Sequence, residues 1–412
     1  MNHRRQRPNW FRIILLVLLI AAGLYLDRFV IPGTPSPFVP TSTPTRPPES
    51  YVTDAETLFN QGKLLQSIQA YQKAIASRPN DPSYYVALAR VQVFNGNYKD
   101  AQKSAEYALL LNPNNSMAYA RRAWALDFQG DPVTAEISIK KALEIDPKNA
   151  VAHAYYAEIL IDEGPNTVQK AIDESKVAQS LAPDMLETHR ARGYVLENTA
   201  NYEQAIREYE AAILINGNIA DLHLAVGRNY RALGIYDKAI AQFTLANTLN
   251  PTDPEPNYLI SRTYATVGEF VKATQYAEAA VKNRSADTKY IGNLGVMYYY
   301  NNLWPDAVKE FDLAINGGTT QDGLKVDPLQ LTSNSSSLTS EFYFTYVMVL
   351  AKSNRCGDAL KIAQMINSRI PSNQRAVDNA SAAVKICQQN LAAPPTSSQS
   401  APTATHAVTP TP

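Results

Sequence analysis

Cysteine is scarce in this sequence, with two residues, Cys356 and Cys387, in a chain of 412. That excludes a disulfide-rich scaffold and any multi-cysteine zinc module. An excess of one charge is missing as well. There are 38 basic and 38 acidic side chains, whereas a nucleic-acid binder carries a surplus of Lys and Arg. The chain has no phosphate-cradling glycine loop ending in Lys-Ser/Thr, no nucleophile elbow and no His-Glu-x-x-His, the patterns that bring reacting groups together. The expectation is a non-enzyme with no catalytic residue, metal, cofactor or small-molecule substrate, and no nucleic-acid partner.

Long apolar runs are also absent, except at the start. "WFRIILLVLLIAAGLYLDRFVI" (10–31) follows Arg4, Arg5 and Arg7 and contains Arg12 near its beginning. A helix of that length measures about 33 Å, against a hydrocarbon core of about 30 Å. The arginines ahead of the run orient the N-terminus (1–9) to the cytoplasm. A cleaved signal peptide is the alternative, with Ala21-Ala22-Gly23 as its small-residue site, but cleavage there leaves an apolar mature start. Either reading puts the rest of the chain outside the cytoplasm. Residues 32–50 are rich in Pro, Thr and Ser, a composition that extends as polyproline II and packs no core. The tail 392–412 has the composition of a disordered segment.

The middle of the chain repeats. Gly62, Gly96, Gly130 and Gly164 stand 34 residues apart, and Pro79, Pro113 and Pro147 keep the same step. A fixed period of this size signals a stack of one supersecondary unit. Each unit holds two apolar-periodic segments split by a glycine and closed by a proline, so it reads as a helical hairpin. Proline ends the second helix, and "NPNN" or "DPKN" leads into the next.

Residues 82–113 supply Tyr85, Leu88, Ala89, Gly96, Tyr98, Ala101, Ala108 and Pro113. Residues 220–251 supply Gly227, Tyr230, Gly234, Tyr236, Ala239, Phe243, Ala246 and Pro251. In these classes and spacings the chain resembles the tetratricopeptide repeat family. The resemblance covers 51–391, with units beginning near 48, 82, 116, 150, 186, 220, 254, 288 and 340. It implies an all-α, right-handed superhelix of about nine helix-turn-helix repeats, with 372–390 as a capping helix. Two departures stand out: Pro132 at a usually aromatic position, tolerable in a first helical turn, and a long connection at 317–340. Loops of that length are either functional or mobile; "LKVDPLQL" could lie on the solenoid as an extended flap.

Small residues mark where the paired helices approach: Ala89, Ala123, Ala157, Gly193 and Gly227 on the first helix, and Ala101, Ala135, Ala171, Ala205 and Ala239 on the second. Ala205→Leu is expected to cost about 1–3 kcal/mol by overpacking; an unchanged melting temperature would contradict this register. His153, His189 and His223 share one position of successive units. Neighbouring helices lie about 8–10 Å apart, while zinc needs nitrogens about 2.0–2.1 Å away, so they read as packed imidazoles. Cys356 begins the second helix of the last unit and Cys387 ends the capping helix. A disulfide between those two edges is one reading, and a pair of free buried thiols is the other.

Within the resemblance, function lies on the concave surface lined by first helices, where the family commonly holds an extended peptide or a partner helix. The inward positions read as Phe94, Trp124, Phe128, Arg190, Tyr194, Arg228, Arg231, Tyr258, Arg262 and Tyr299, with Tyr300 and Phe344 beyond. Arg and aromatic residues anchor protein interfaces. The arginines suggest a carboxylate-bearing segment, although Glu158, Glu197 and Glu255 could already pair with them. The Lys/Asn clamp of the chaperone-tail-binding subgroup is not found. The expected protein is a single-pass membrane scaffold of a prokaryotic envelope, its extracytoplasmic groove binding a protein or peptide. The alternative is an accessory subunit that recruits an envelope enzyme or a secretion machine.

Overall fold

The computed structural model describes residues 9–26, 28 and 46–392. The basic segment 1–9, the linker 32–50 and the tail 392–412 lie almost wholly outside these residues. The first helix, α1 (Trp10–Tyr25), has 16 residues and buries none of its apolar side chains. It is about 24 Å long. Among the described residues, no helix is long and apolar enough to cross a membrane. The expected span 10–31 runs on past α1 into residues that are largely outside the described ones.

From Pro48 the chain forms nine helical hairpins and a final helix. They are α2 (Pro48–Asn60) with α3 (Leu64–Ser77), α4 (Pro82–Phe94) with α5 (Tyr98–Leu111), and α6 (Ser116–Asp127) with α7 (Pro132–Ile145). Next come α8 (Ala150–Asp162) with α9 (Val168–Leu181), α10 (Leu186–Asn198) with α11 (Tyr202–Ile215), and α12 (Ala220–Ala232) with α13 (Tyr236–Leu249). The last three are α14 (Glu255–Thr266) with α15 (Phe270–Asn283), α16 (Thr288–Tyr300) with α17 (Trp304–Asn316), and α18 (Ser337–Lys352) with α19 (Cys356–Arg369), followed by α20 (Gln374–Ala392). The chain is an all-α helical-repeat solenoid.

Eight of the nine hairpins turn on the same backbone closure; in the fourth, Gly164 is followed by Pro165, which has no N–H to donate. The second residue past the first helix adopts a left-handed conformation, and the next N–H reaches back five residues, as in Lys63 N to Leu58 O at 2.9 Å and Asn97 N to Gln92 O at 2.8 Å. Glycine takes that conformation without a Cβ clash. Three turns instead use Ala200, Asn302 and Asn354, with φ of 59°, 59° and 57°. Asn tolerates this region, whereas Ala pays for it. Ala200→Gly should therefore raise the unfolding free energy by about 0.5–1 kcal/mol after allowing for glycine's looser unfolded chain. Chemical denaturation checks this; a loss of stability would mean that the turn relaxes elsewhere.

In six of the nine hairpins the second helix stops two residues before a proline, whose ring favours extended geometry in its predecessor. Arg78, Asn112 and Asp146 have φ of −144°, −142° and −137°. The following helices start under side-chain caps: Asp81, Asn115 and Asn149 accept from Ser83 N, Ala118 N and Ala152 N. Pro132 occupies the first turn of α7 beneath an Asp131 cap.

The small positions are fully buried, and the structure shows what they receive. A Cβ built on Gly193 would stand 2.9 Å from the Tyr209 ring, and one on Gly227 would stand 2.5 Å from Phe243. Gly193 and Gly227 thus make room for an aromatic ring of their partner helix. The three imidazoles bridge helices within their own units: His153 Nδ1 lies 2.6 Å from Glu174, His189 Nδ1 2.8 Å from Glu208, and His223 Nδ1 2.7 Å from the Gln242 amide.

The long connection folds onto the solenoid. Gly318–Thr319 (β1) pairs antiparallel with Lys325–Val326 (β2). Val326 and Leu331 are buried, Leu329 N donates to Ala314 O, and Tyr343 Oη donates to Leu329 O. The ninth hairpin begins at Ser337, earlier than the loop boundary of 340, because Ser336 Oγ accepts from Thr339 N at 3.1 Å. At the far end Cys356 and Cys387 form a disulfide, with their Cα atoms 5.4 Å apart. It joins the start of α19 to α20.

Candidate functional site

The first helices of the hairpins line the inner face. Successive rotation of the units brings the first three hairpins across from the fifth and sixth. Asn218 Nδ2 donates to Asn60 O at 2.7 Å, 158 residues away. Arg90 Nε lies 2.7 Å from Glu187 Oε1, and Arg121 Nη2 lies 3.4 Å from the same oxygen. Phe59, Leu88 and Val91 share an apolar cluster with Leu186, Ile219 and Leu222. The front of the array therefore packs against its own middle.

This closure decides the fate of the expected binding residues. Phe94, Trp124 and Phe128 form an aromatic row, with ring centroids 5.1 and 5.7 Å apart, and Trp124 stacks on Tyr155 at 4.3 Å. Trp124 is buried, and its Nε1 donates to Glu158 Oε2 at 3.0 Å. Arg190 is also buried, ion-paired to Glu158 and, at 3.0 Å, to Asp221, with its guanidinium 5.2 Å from the Trp124 ring. Arg228 makes a two-pronged pair with Glu197 at 2.8 and 3.3 Å. Tyr194 Oη donates to Asp162 at 2.5 Å. The pairing of these arginines with Glu158 and Glu197 was legible in the sequence; the involvement of Glu187, Asp221 and Asp162 was not. Tyr299 stands apart from the other inward residues, packed beside Tyr300 and Trp304. Glu255 turns to Lys289 and the Tyr290 hydroxyl.

The face opens in the second half of the array. Arg231, Tyr258 and Arg262 line a cleft of about 640 Å³ with Tyr236, Glu341, Phe344, Asn373 and Arg375. Arg262 is held by both oxygens of Glu341, at 3.1 and 3.0 Å. Arg375 lies 4.9 Å over the Phe344 ring, and among the described residues the Arg231 side chain has no hydrogen-bond or ion-pair partner. Burial pulls the Arg231 guanidinium below its ordinary value, and the charges of Arg262 and Arg228 act the same way. Three guanidinium groups against one carboxylate leave this cleft positive. Arg375 and Asn373 escaped sequence reasoning because they belong to the capping helix and its approach, outside the 34-residue register, and Glu341 was passed over on the helix that carries Phe344.

The tetratricopeptide repeat model matches residues 86–150 and 190–254. Those two stretches thus carry tetratricopeptide repeats within the helical-repeat architecture. No curated protein matches the sequence. Among solved structures, the chain is similar to a chain of the APC/C hetero-tetramer Cut9–Hcn1, with 14% identity, TM-score 0.48, and coverage of 60% of this chain and 49% of that one. It spans about half the length of that relative. It is also similar to pilF of Pseudomonas aeruginosa, with 19% identity, TM-score 0.41, and coverage of 48% and 89%. Human IFIT1 gives 17% identity, TM-score 0.46, and coverage of 65% and 72%.

Proposed function

We propose that this chain is a non-catalytic, membrane-anchored scaffold whose concave cleft, between the sixth and ninth hairpins, holds an acidic segment of a protein partner. The observation that carries the reading is Arg231: a half-buried cation facing an open cleft, without a counter-charge, beside aromatic walls. A partner carboxylate would supply the missing charge and form the stronger, charge-assisted type of hydrogen bond. The part-exposed Tyr236 ring gives such a segment apolar contact, while Tyr258 and Phe344, which also line the cleft, are themselves buried. The arginines of the middle units are not available in the same way, since Glu158, Asp221 and Glu197 already hold them.

Anchoring is supported by the exposed surface of α1, apolar apart from Arg12 near its start, and by the arginines that precede and open the 10–31 run. The disulfide supports placement of the repeats on the oxidising side of a membrane. Fluorescence anisotropy with a labelled acidic peptide, using the full chain in detergent, tests the cleft. Arg231→Glu should weaken binding about tenfold or more, while Arg207→Glu, on a second helix, should not. Equal affinity in wild type and Arg231→Glu would end this reading. Protease protection in sealed membrane vesicles tests the topology separately.

A further inference from the structure

A second cavity, of about 380 Å³, lies in the closed part of the bore and carries the opposite charge. Its walls bring Asp127 from α6, Glu158 and Asp162 from α8, Glu197 from α10 and Asp221 from α12. The two guanidinium groups present are committed, Arg190 to Glu158 and Asp221 and Arg228 to Glu197. Asp127 and Asp162 are left as a like-charged pair, served only by the neutral Tyr194 hydroxyl on Asp162. Asp127 is 8% exposed, and its carboxyl interacts with that of Asp162; no donor among the described residues reaches its Oδ1 or the Oε1 of Glu158. A carboxylate so deeply buried, without a donor and bordering a cavity, points to a positively charged ligand, because leaving it unpaired is costly.

The form of the cation follows from geometry. Among the described residues no three carboxylates, imidazoles or thiols converge where a metal ion could sit. An ammonium group differs: its three N–H donors diverge to separate acceptors, and its charge is attracted to aromatic faces. Phe128 and Tyr194 border the same cavity, and Phe128 is 36% exposed there. We propose that this cavity binds a primary ammonium group, held by Asp127 and Asp162 against Phe128 and Tyr194.

Proton exchange gives the site a signature. Burial, then the charge of Asp162, push the Asp127 carboxyl up to about 8, with Glu158 acting likewise and Arg190 opposing. Near neutral pH Asp127 therefore carries a proton, which an incoming ammonium displaces to solvent as the carboxylate forms. The ammonium itself stays charged until about pH 10. Affinity should rise with pH, by up to about tenfold per unit, and level off above 8.

Calorimetry on the full chain in detergent at fixed ionic strength, with spermidine and with an acetylated, amidated Gly-Lys-Gly peptide, tests this. Saturable binding with proton release is expected. Asp127→Asn should weaken it about tenfold or more, while Asp100→Asn, on the exposed start of α5, should leave it unchanged. Tighter spermidine binding identifies a free polyamine as the source; tighter peptide binding identifies a partner's lysine. If Asp127→Asn fails to fold by circular dichroism, Asp162→Asn provides the readout, because without its charged neighbour the rise of affinity with pH should move to lower pH, burial alone then holding the Asp127 carboxyl up. No saturable binding of either probe, equal weakening by Asp100→Asn, or binding indifferent to pH in the wild type would overturn the proposal.

Discussion

Glu187→Ala should lower the unfolding free energy by about 3–5 kcal/mol, the usual effect of removing one partner of a buried ion pair. Its carboxylate serves Arg90 and Arg121 together, and the Arg121 and Glu187 side chains are only 7% and 4% exposed. Without Glu187, Arg121 would keep a contact 5.3 Å above the Tyr155 ring but no counter-charge. Burial already draws its guanidinium down to about 10. The pH dependence carries a sign. Burial pushes the Glu187 carboxyl up, but the Arg90 and Arg121 charges outweigh it and hold it below the ordinary range. Its contribution is therefore complete above the unfolded value of about 4.3 and is lost as pH falls through the lower folded value. Urea denaturation at pH 7 and again near pH 3 measures this: the gap between wild type and variant should narrow in acid. An unchanged midpoint at pH 7 would show that the first hairpins do not lean on the fifth.

Breaking the disulfide should cost about 2–4 kcal/mol, chiefly by restoring freedom to the unfolded chain between residues 31 apart. The native consequence is local. Helix α20 seals the last hairpin with Ala376, Ala380, Ala383 and the buried Cys387, all small apart from the sulfur, so it brings little apolar area of its own. Cys387→Ser should raise amide exchange across 374–392 while leaving the first hairpins unchanged. Equal protection in oxidised and reduced protein would mean that helix packing alone holds the end.

The helices, their turns and the small inward positions were legible because they follow from neighbours along the chain. Gly62 to Gly164 mark turns that need a left-handed residue, and Pro79 to Pro147 mark ends that the ring enforces. Where the code is degenerate the signal thins: Ala200, Asn302 and Asn354 perform the glycine's task without announcing it. The inner face was legible as a list and not as a place. Arg90 and Glu187 meet across 97 residues, and that meeting depends on rotation accumulated over several units, which no single unit encodes. Trp124 and Arg190 were accordingly expected as open anchors, yet they are buried and already partnered. The second-half cleft needed Arg375, which lies in a helix without repeat register.

An array that touches only its neighbours loses terminal units one at a time, each deletion subtracting a similar amount. Here the Asn60–Asn218 contact fastens the leading edge to the interior. Trimming from the front would unlatch a clasp instead of shortening a row, and the central hairpins would feel the first cut.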